Sequence, residues 1–245
     1  MLWKRNKVND EIVIADYNKK NATVTDEMLT VIFSDVGRRY GFSEVRAKFS
    51  ALADFKVKWT RSYKWADFVV SDYVDRASTE ALTNLADVLF ARISGTKAEY
   101  GEAFIRYVTD DAVVRDNQKD FLKRTKGLIG TSIGEFHDLV DCVNRLREQC
   151  LIPDDLRCEL RWDSRATSKA AGCSFLQKVA WVNKELDHKG VPEYVLDYCV
   201  YNMLCYLIIG FNPEPEGEYQ HDRLAEMHPM GEEAKIWLRE HRMYL

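Results

Sequence analysis

Three side chains toward the C-terminal end of the sequence have the types needed to hold a divalent metal. They are Cys205, inside the apolar run from Tyr194 to Phe211, His221 beyond it, and His228 further on. Zinc accepts a thiolate and two imidazoles. On a helix stepping by about 100° per residue, Cys205 lies roughly 60° round from Asn202, so a thiolate there leans toward His228. The competing expectation is packing: Cys199 and Cys205 are small residues on a helix apolar on all sides, where free thiols are commonly buried.

A second set is basic and aromatic. In DFKVKWTRSYKWADF, Lys56, Lys58, Arg61 and Lys64 interleave with Trp59, Tyr63 and Trp65. Charge and ring stacking of this kind grip single-stranded nucleic acid or a protein tail. Strand alternation offers a plainer alternative, with Phe55, Val57 and Trp59 inside and Lys56 and Lys58 solvated outside. A third set, Asp163, Ser164 and His188, has the types of a serine hydrolase but lacks a Gly-x-Ser-x-Gly elbow. GTKAEYG and KGLIGTSIG carry glycine and lysine without P-loop spacing, and read as turns and helix ends.

The elements that position these residues follow from periodicity. Thr25 or Asp26 caps a helix in which Met28, Leu29, Ile32, Val36 and Tyr40 recur, ending near Gly41. Alternation through Val45, Ala47 and Phe49 and through Phe55, Val57 and Trp59 predicts two or three short antiparallel strands. Ser78 opens a helix with Leu82, Leu85, Ala86, Leu89 and Ile93 on one stripe, stopped by Gly95. Further helices are expected over 99–107, 118–125 and 134–149, then strands over 157–162 and 173–182. Pro192 suits the first turn of a long helix. FNPEPEGEY reads as an extended loop, and HPMGEEAKIWLREHRM as helix with Met230, Ala234, Trp237 and Leu238 buried. The expected organisation is a partly ordered leader over 1–24, an N-terminal α+β region over 25–130 with a small antiparallel sheet, and a C-terminal domain over 131–245, divided near 126–134.

The totals narrow the class. With 245 residues and 46% apolar content the chain can bury a substantial core. A formal charge of −4 argues against an obligate electrostatic partnership with nucleic acid, while leaving room for a local basic patch. No apolar signal region follows the first residues, and Asp197 and Asn202 interrupt the longest apolar run, so a cytoplasmic protein without a membrane partner is expected. None of the six cysteines forms a Cys-x-x-Cys pair, which favours free buried thiols over disulfides or a thiolate zinc site. From Pro213 to Glu233 seven acids face one base, Arg223, so this segment is a solvated loop or a cover for whatever lies beneath it.

The order of C-terminal elements, with four pieces of local wording, resembles the SprT-like and YgjP-type zinc metallopeptidases, the minimal zincin family. FHDLVDCVNRLREQCLIPDDLRCELRW is similar to the opening helix and first strand, TSKAAGCSFLQKVAWVNKEL to the next strand, VPEYVLDYCVY to the lead-in of the metal helix, and MHPMGEEAKIWL to the segment carrying the third ligand. The likeness spans about Gly134 to Leu245. It implies a zincin-like domain built on a long buried helix, in which two histidines four apart bind zinc and the glutamate between activates water. In this chain those positions hold Asn202, Met203 and Tyr206, and only His228 keeps a ligand type. Methionine cannot accept a proton, so the base is lost. The expectation is therefore a non-catalytic, peptidase-like protein with a binding or regulatory role toward an unknown protein or peptide, and no cofactor. The alternatives are a hydrolase rebuilt on Cys205, His221 and His228, and a DNA-associated binding protein using Lys56, Lys58, Trp59, Arg61, Lys64 and Trp65.

Overall fold

The computed structural model describes residues 23–211 and 215–245; the leader expected over 1–24 lies largely outside the described residues. The fold is α+β, in two compact units, Met1–Val113 and Val114–Leu245. The division does not fall at the glycine-bearing 126–134 stretch. Gly127 (φ +112°) turns the chain there so that Leu128 and Ile129 pair with a strand of the second unit. A side chain at Gly127 would meet Arg165 at 2.5 Å, so that turn belongs to the second unit's own packing.

The first unit opens with helix α1 (Asp26–Arg39), whose N-cap Thr25 accepts the Met28 N–H at 3.3 Å. Strands β1 (Glu44–Ser50), β2 (Val57–Arg61) and β3 (Trp65–Ser71) follow, then α2 (Thr79–Ile93), capped by Ser78, and α3 (Glu102–Thr109). The sheet is mixed, with order β1-β3-β2: β3 runs antiparallel to β2 but parallel to β1. The expected antiparallel sheet is thereby corrected. A tight connection, Ser62 N–H to Trp65 carbonyl at 2.9 Å, makes β2 and β3 a hairpin, and β1 then joins the free edge of β3. Alternation reports which face a residue takes but not strand direction. Helices cover the inner face through Phe33, Phe68 and Phe90, with ring centroids 5.1 Å apart in each contact, and Thr30 donates to the Ala47 carbonyl at 2.8 Å.

The second unit holds most of α4 (Asp111–Arg124), then β4 (Leu128–Ile129), α5 (Leu139–Glu148), β5 (Glu159–Asp163), β6 (Ala171–Ser174) and β7 (Val179–Asn183). The strand order is β4-β5-β7-β6, with β5 and β7 parallel and the other pairs antiparallel. The single strand expected over 173–182 is a hairpin, turned at Phe175–Lys178, where Lys178 adopts φ +50°. Helices α6 (Glu193–Ile209), α7 (Pro215–Ala225) and α8 (Gly231–Glu240) complete the unit.

Every residue of α6 from Val195 to Cys205 is buried. A helix apolar on all sides must be surrounded, and α6 packs against α5, α7, α8, β6 and β7. The loop expected across FNPEPEGEY becomes helix from Pro215. Its buried positions, Gly217, His221 and Ala225, sit at i, i+4 and i+8 against α6. Glycine, histidine and alanine give no apolar periodicity, so the helix was invisible as a stripe.

Candidate functional site

Tyr198, Asn202 and Tyr206 recur at four-residue spacing along α6 and line a cleft of about 660 Å³. His221 of α7 and Lys235 and Arg239 of α8 line it too. Gly231 lets the start of α8 approach: a Cβ there would come within 3.2 Å of the Tyr198 ring. Lys235 is 2.7 Å from Glu232 and 5.9 Å from the centre of the Tyr198 ring. Burial raises the Tyr198 phenol, while the Lys235 ammonium and the Asn202 amide act the other way.

The two histidines expected in an exposed loop and at a helix entry are both buried, each 6% exposed. His221 stacks on Tyr206, centroids 3.8 Å apart and planes 19° apart, and its Nε2 lies 3.1 Å from the Asn202 carbonyl oxygen. A carbonyl only accepts, so Nε2 donates to it, while Nδ1 lies 3.4 Å from the Asp222 carboxylate. His228 is wrapped by Tyr198 and Tyr201, with centroids at 5.4 and 5.5 Å. Its Nδ1 accepts the Met230 N–H at 3.3 Å, so the proton of the neutral ring is on Nε2, which is buried without a hydrogen-bond partner among the described residues. Burial lowers the His228 pKa, partly offset by Asp197.

These arrangements bear on the implied zinc. A ligating histidine offers a lone pair on one ring nitrogen and donates from the other to a carbonyl or carboxylate. His228 has the reverse polarity: its lone pair is taken by a backbone N–H and its outer nitrogen holds the proton. Met203, where the resemblance would call for a base, is 4% exposed within the core cluster, and Tyr206 is engaged in its stack. Cys205 is fully buried in the same cluster, and desolvation pushes its thiol up to about 12. Among the described residues no three His, Cys, Asp or Glu side chains are grouped so as to hold a metal ion, so Cys205, His221 and His228 are not brought together as a ligand set. The residues present do not fit a zinc ion.

The serine-hydrolase set is likewise dispersed into other bonds. Asp163 makes a two-pronged contact with Arg165, Ser164 donates to the Gly127 carbonyl at 3.1 Å, and His188 Nδ1 accepts the Gly190 N–H at 3.0 Å.

In the first unit, Lys56, Lys58, Trp59, Arg61, Lys64 and Trp65 are all exposed. Register divides them. Trp59 lies opposite Phe68 and Arg61 opposite Ala66, on the inner face at the sheet's edge, whereas Lys58 lies opposite Val69 and shares the outer face with Trp65. Sequence reasoning missed Tyr198, Lys235 and Arg239 at the cleft, and Arg46 and Lys48 on the sheet. Tyr198 stands four residues before Asn202, and Arg46 and Lys48 alternate with buried Val45 and Ala47, so both signals were in the spacing.

Comparison with models of known protein families, with curated proteins and with solved structures finds no match for this chain. Among the described residues no helix is long and apolar enough to cross a membrane.

Proposed function

We propose that the second unit is a metallopeptidase-like scaffold that binds a peptide or protein segment in the α6 cleft without cleaving it. The observation that carries this reading is the contrast between the two sides of α6. Tyr206, 40% exposed, stands in the cleft at a position where the resemblance calls for a metal ligand, with Asn202 and Tyr198 buried along the same wall, while Met203 in place of the base lies in the core cluster away from the cleft. Such a cleft offers the exposed Tyr206 ring for an apolar side chain, and the carboxylates of Asp222 and Glu226 and the Arg239 guanidinium for polar ones. Its wall is held by the stack of His221 on Tyr206 and by the hydrogen bond from His221 to the Asn202 carbonyl, which favours a preformed binding surface. No disulfide joins any of the six cysteines among the described residues, which supports placing the protein in a reducing compartment such as the cytoplasm.

The test is metal content and turnover measured beside binding, on the whole chain. Mass spectrometric metal analysis is expected to give far less than one zinc per chain, and a peptide pool with added zinc is expected to remain uncut. Peptides selected from a display library on the wild-type protein are expected to lose at least about tenfold in affinity on Tyr206→Ala. Stoichiometric zinc abolished by His228→Ala and Cys205→Ala, or zinc-dependent cleavage, would instead favour the rebuilt hydrolase. A library yielding no ligand sensitive to Tyr206 sinks the binding role.

A further inference from the structure

The sheet of the first unit has a face that its helices leave open. Cross-strand partners share a face, so the register places Lys48, Val69 and Lys58 in one row, Arg46, Asp67 and Thr60 in the next, and Glu44 with Trp65 in the third. All of these are exposed except Val69, which is half-buried. With strands about 4.8 Å apart, Lys48 and Lys58 stand about 10 Å from one another across β3. Lys56 and Lys64 flank the rows, giving five cations against two acids, Glu44 and Asp67. None of the five cations is in an ion pair among the described residues. Two large rings are also presented to solvent: Trp65 is 40% exposed and Tyr63, in the β2–β3 turn beside Lys64, is 78% exposed.

We propose that this outer face is a platform for single-stranded nucleic acid, with Arg46, Lys48 and Lys58 meeting phosphates and Trp65 stacking a base. The local excess of cations is complementary to a polyanion. The exposed rings distinguish a nucleic acid from an acidic peptide, because every base presents a π-face to a tryptophan and a carboxylate does not. They distinguish a single strand from a duplex, because bases must be unstacked to lie on a sheet. The platform differs from the set that sequence spacing picks out. Arg46 and Lys48 enter it from β1, and Trp59 and Arg61 leave it for the opposite face.

The test is fluorescence anisotropy of a labelled oligodeoxythymidine of about 20 nucleotides titrated with the whole chain across a salt series. Affinity is expected to fall linearly with salt on logarithmic axes. The double change Lys48→Glu and Lys58→Glu is expected to weaken binding by at least about tenfold and to reduce the salt slope by about 1.4, two phosphate contacts at about 0.7 each. Trp65→Ala is expected to weaken it about fivefold or more with the slope unchanged, and Trp59→Ala by less than about twofold. Should charge reversal disturb the fold, as judged by circular dichroism, Lys48→Gln with Lys58→Gln gives the same slope change. No salt-dependent binding at about 50 mM salt overturns the proposal, as does a loss with Trp59→Ala equal to that with Trp65→Ala. Tighter binding of a polyglutamate peptide or of duplex DNA than of the single strand overturns it as well.

Discussion

The two sheets are both small and mixed, yet they treat their faces differently. In the first, β3 alternates over most of its length: Ala66, Phe68 and Val70 are buried beneath helices, Trp65 and Asp67 are exposed, Val69 is half-buried, and burial reaches both faces only at the terminal Ser71. In the second, β7 reads buried at four of its five positions, and Val182 and Asn183, which point to opposite faces, are both 2% exposed. A sheet covered on one side presents a surface of its own; a sheet covered on both is a frame for what lies on it. The open platform of the first unit is therefore the sheet itself, whereas the cleft of the second belongs to helices mounted on the sheet.

Truncation on the two strands breaks or sharpens this contrast most strongly. Phe68→Ala removes a ring packed between Phe33 and Phe90 and is expected to cost about 4 kcal/mol in denaturant unfolding. Its neighbour Asp67→Ala is expected to cost under about 0.5 kcal/mol. On β7 no such difference is expected. Val182→Ala leaves a cavity worth about 2 kcal/mol. Asn183→Ala costs about the same, because the amide that bonds the Thr167 and Lys169 carbonyls and the Glu185 N–H is lost. An Asn183 variant as mild as the Asp67 one would mean that the second sheet has an open face after all.

Charge follows the same division. Arg145 grips the Asp197 carboxylate at 2.7 to 3.1 Å, with the Asp197 side chain 8% exposed, so Asp197→Ala strands a guanidinium and is expected to cost about 3 kcal/mol. Asp35, paired with Arg38 on the surface of the first unit, is expected to cost under about 1 kcal/mol on the same change. Acid supplies a smaller effect. Burial alone would raise Asp187, but Lys184 and the N–H groups of Glu135, Phe136 and His137 outweigh it and hold its carboxyl at about 2, below its ordinary 3.8. A depressed folded pKa gives stability that is fully present above the unfolded value and is lost as pH falls through the folded one. Asp187→Asn is thus expected to cost about 2 kcal/mol at pH 6, with the difference from wild type closing between pH 4 and pH 2. A difference that persists unchanged at pH 2 would remove the carboxylate from the account.

How much of this was readable in advance depended on whether burial and residue type agreed. The α2 stripe of Leu82, Leu85, Ala86, Leu89 and Ile93 is buried throughout, because apolar type and helical spacing coincide there. The α+β class and the long buried α6 were readable for the same reason. Strand direction was not, since an alternating pattern is the same in either sense, and the β6–β7 hairpin was hidden because Phe175 and Leu176 continue the apolar run across the turn. Asn202 and Tyr206, which the sequence singled out, line the cleft and Met203 lies in the core, but the burial of His221 and His228 was not legible. Their acidic surroundings pointed to solvent, and only contact with α6 buries them.

The smallest effect tests how the cleft wall is held. Tyr206 is 40% exposed, so Tyr206→Ala gives up a stack on His221 and part of a buried ring while gaining helix propensity, and a net cost under about 1 kcal/mol is expected. What it removes is the cover over His221, whose side chain ties α7 to the α6 backbone at Asn202. Local opening of α7 should therefore become easier while α6, buried from Val195 to Cys205, keeps its own protection. Hydrogen exchange is expected to quicken by up to about fivefold at the amides of His221 to Ala225, and to stay unchanged from Val200 to Leu204. Equal quickening in both helices would mean that Tyr206 supports the core of the unit, and that the cleft is not a surface laid on an independent frame.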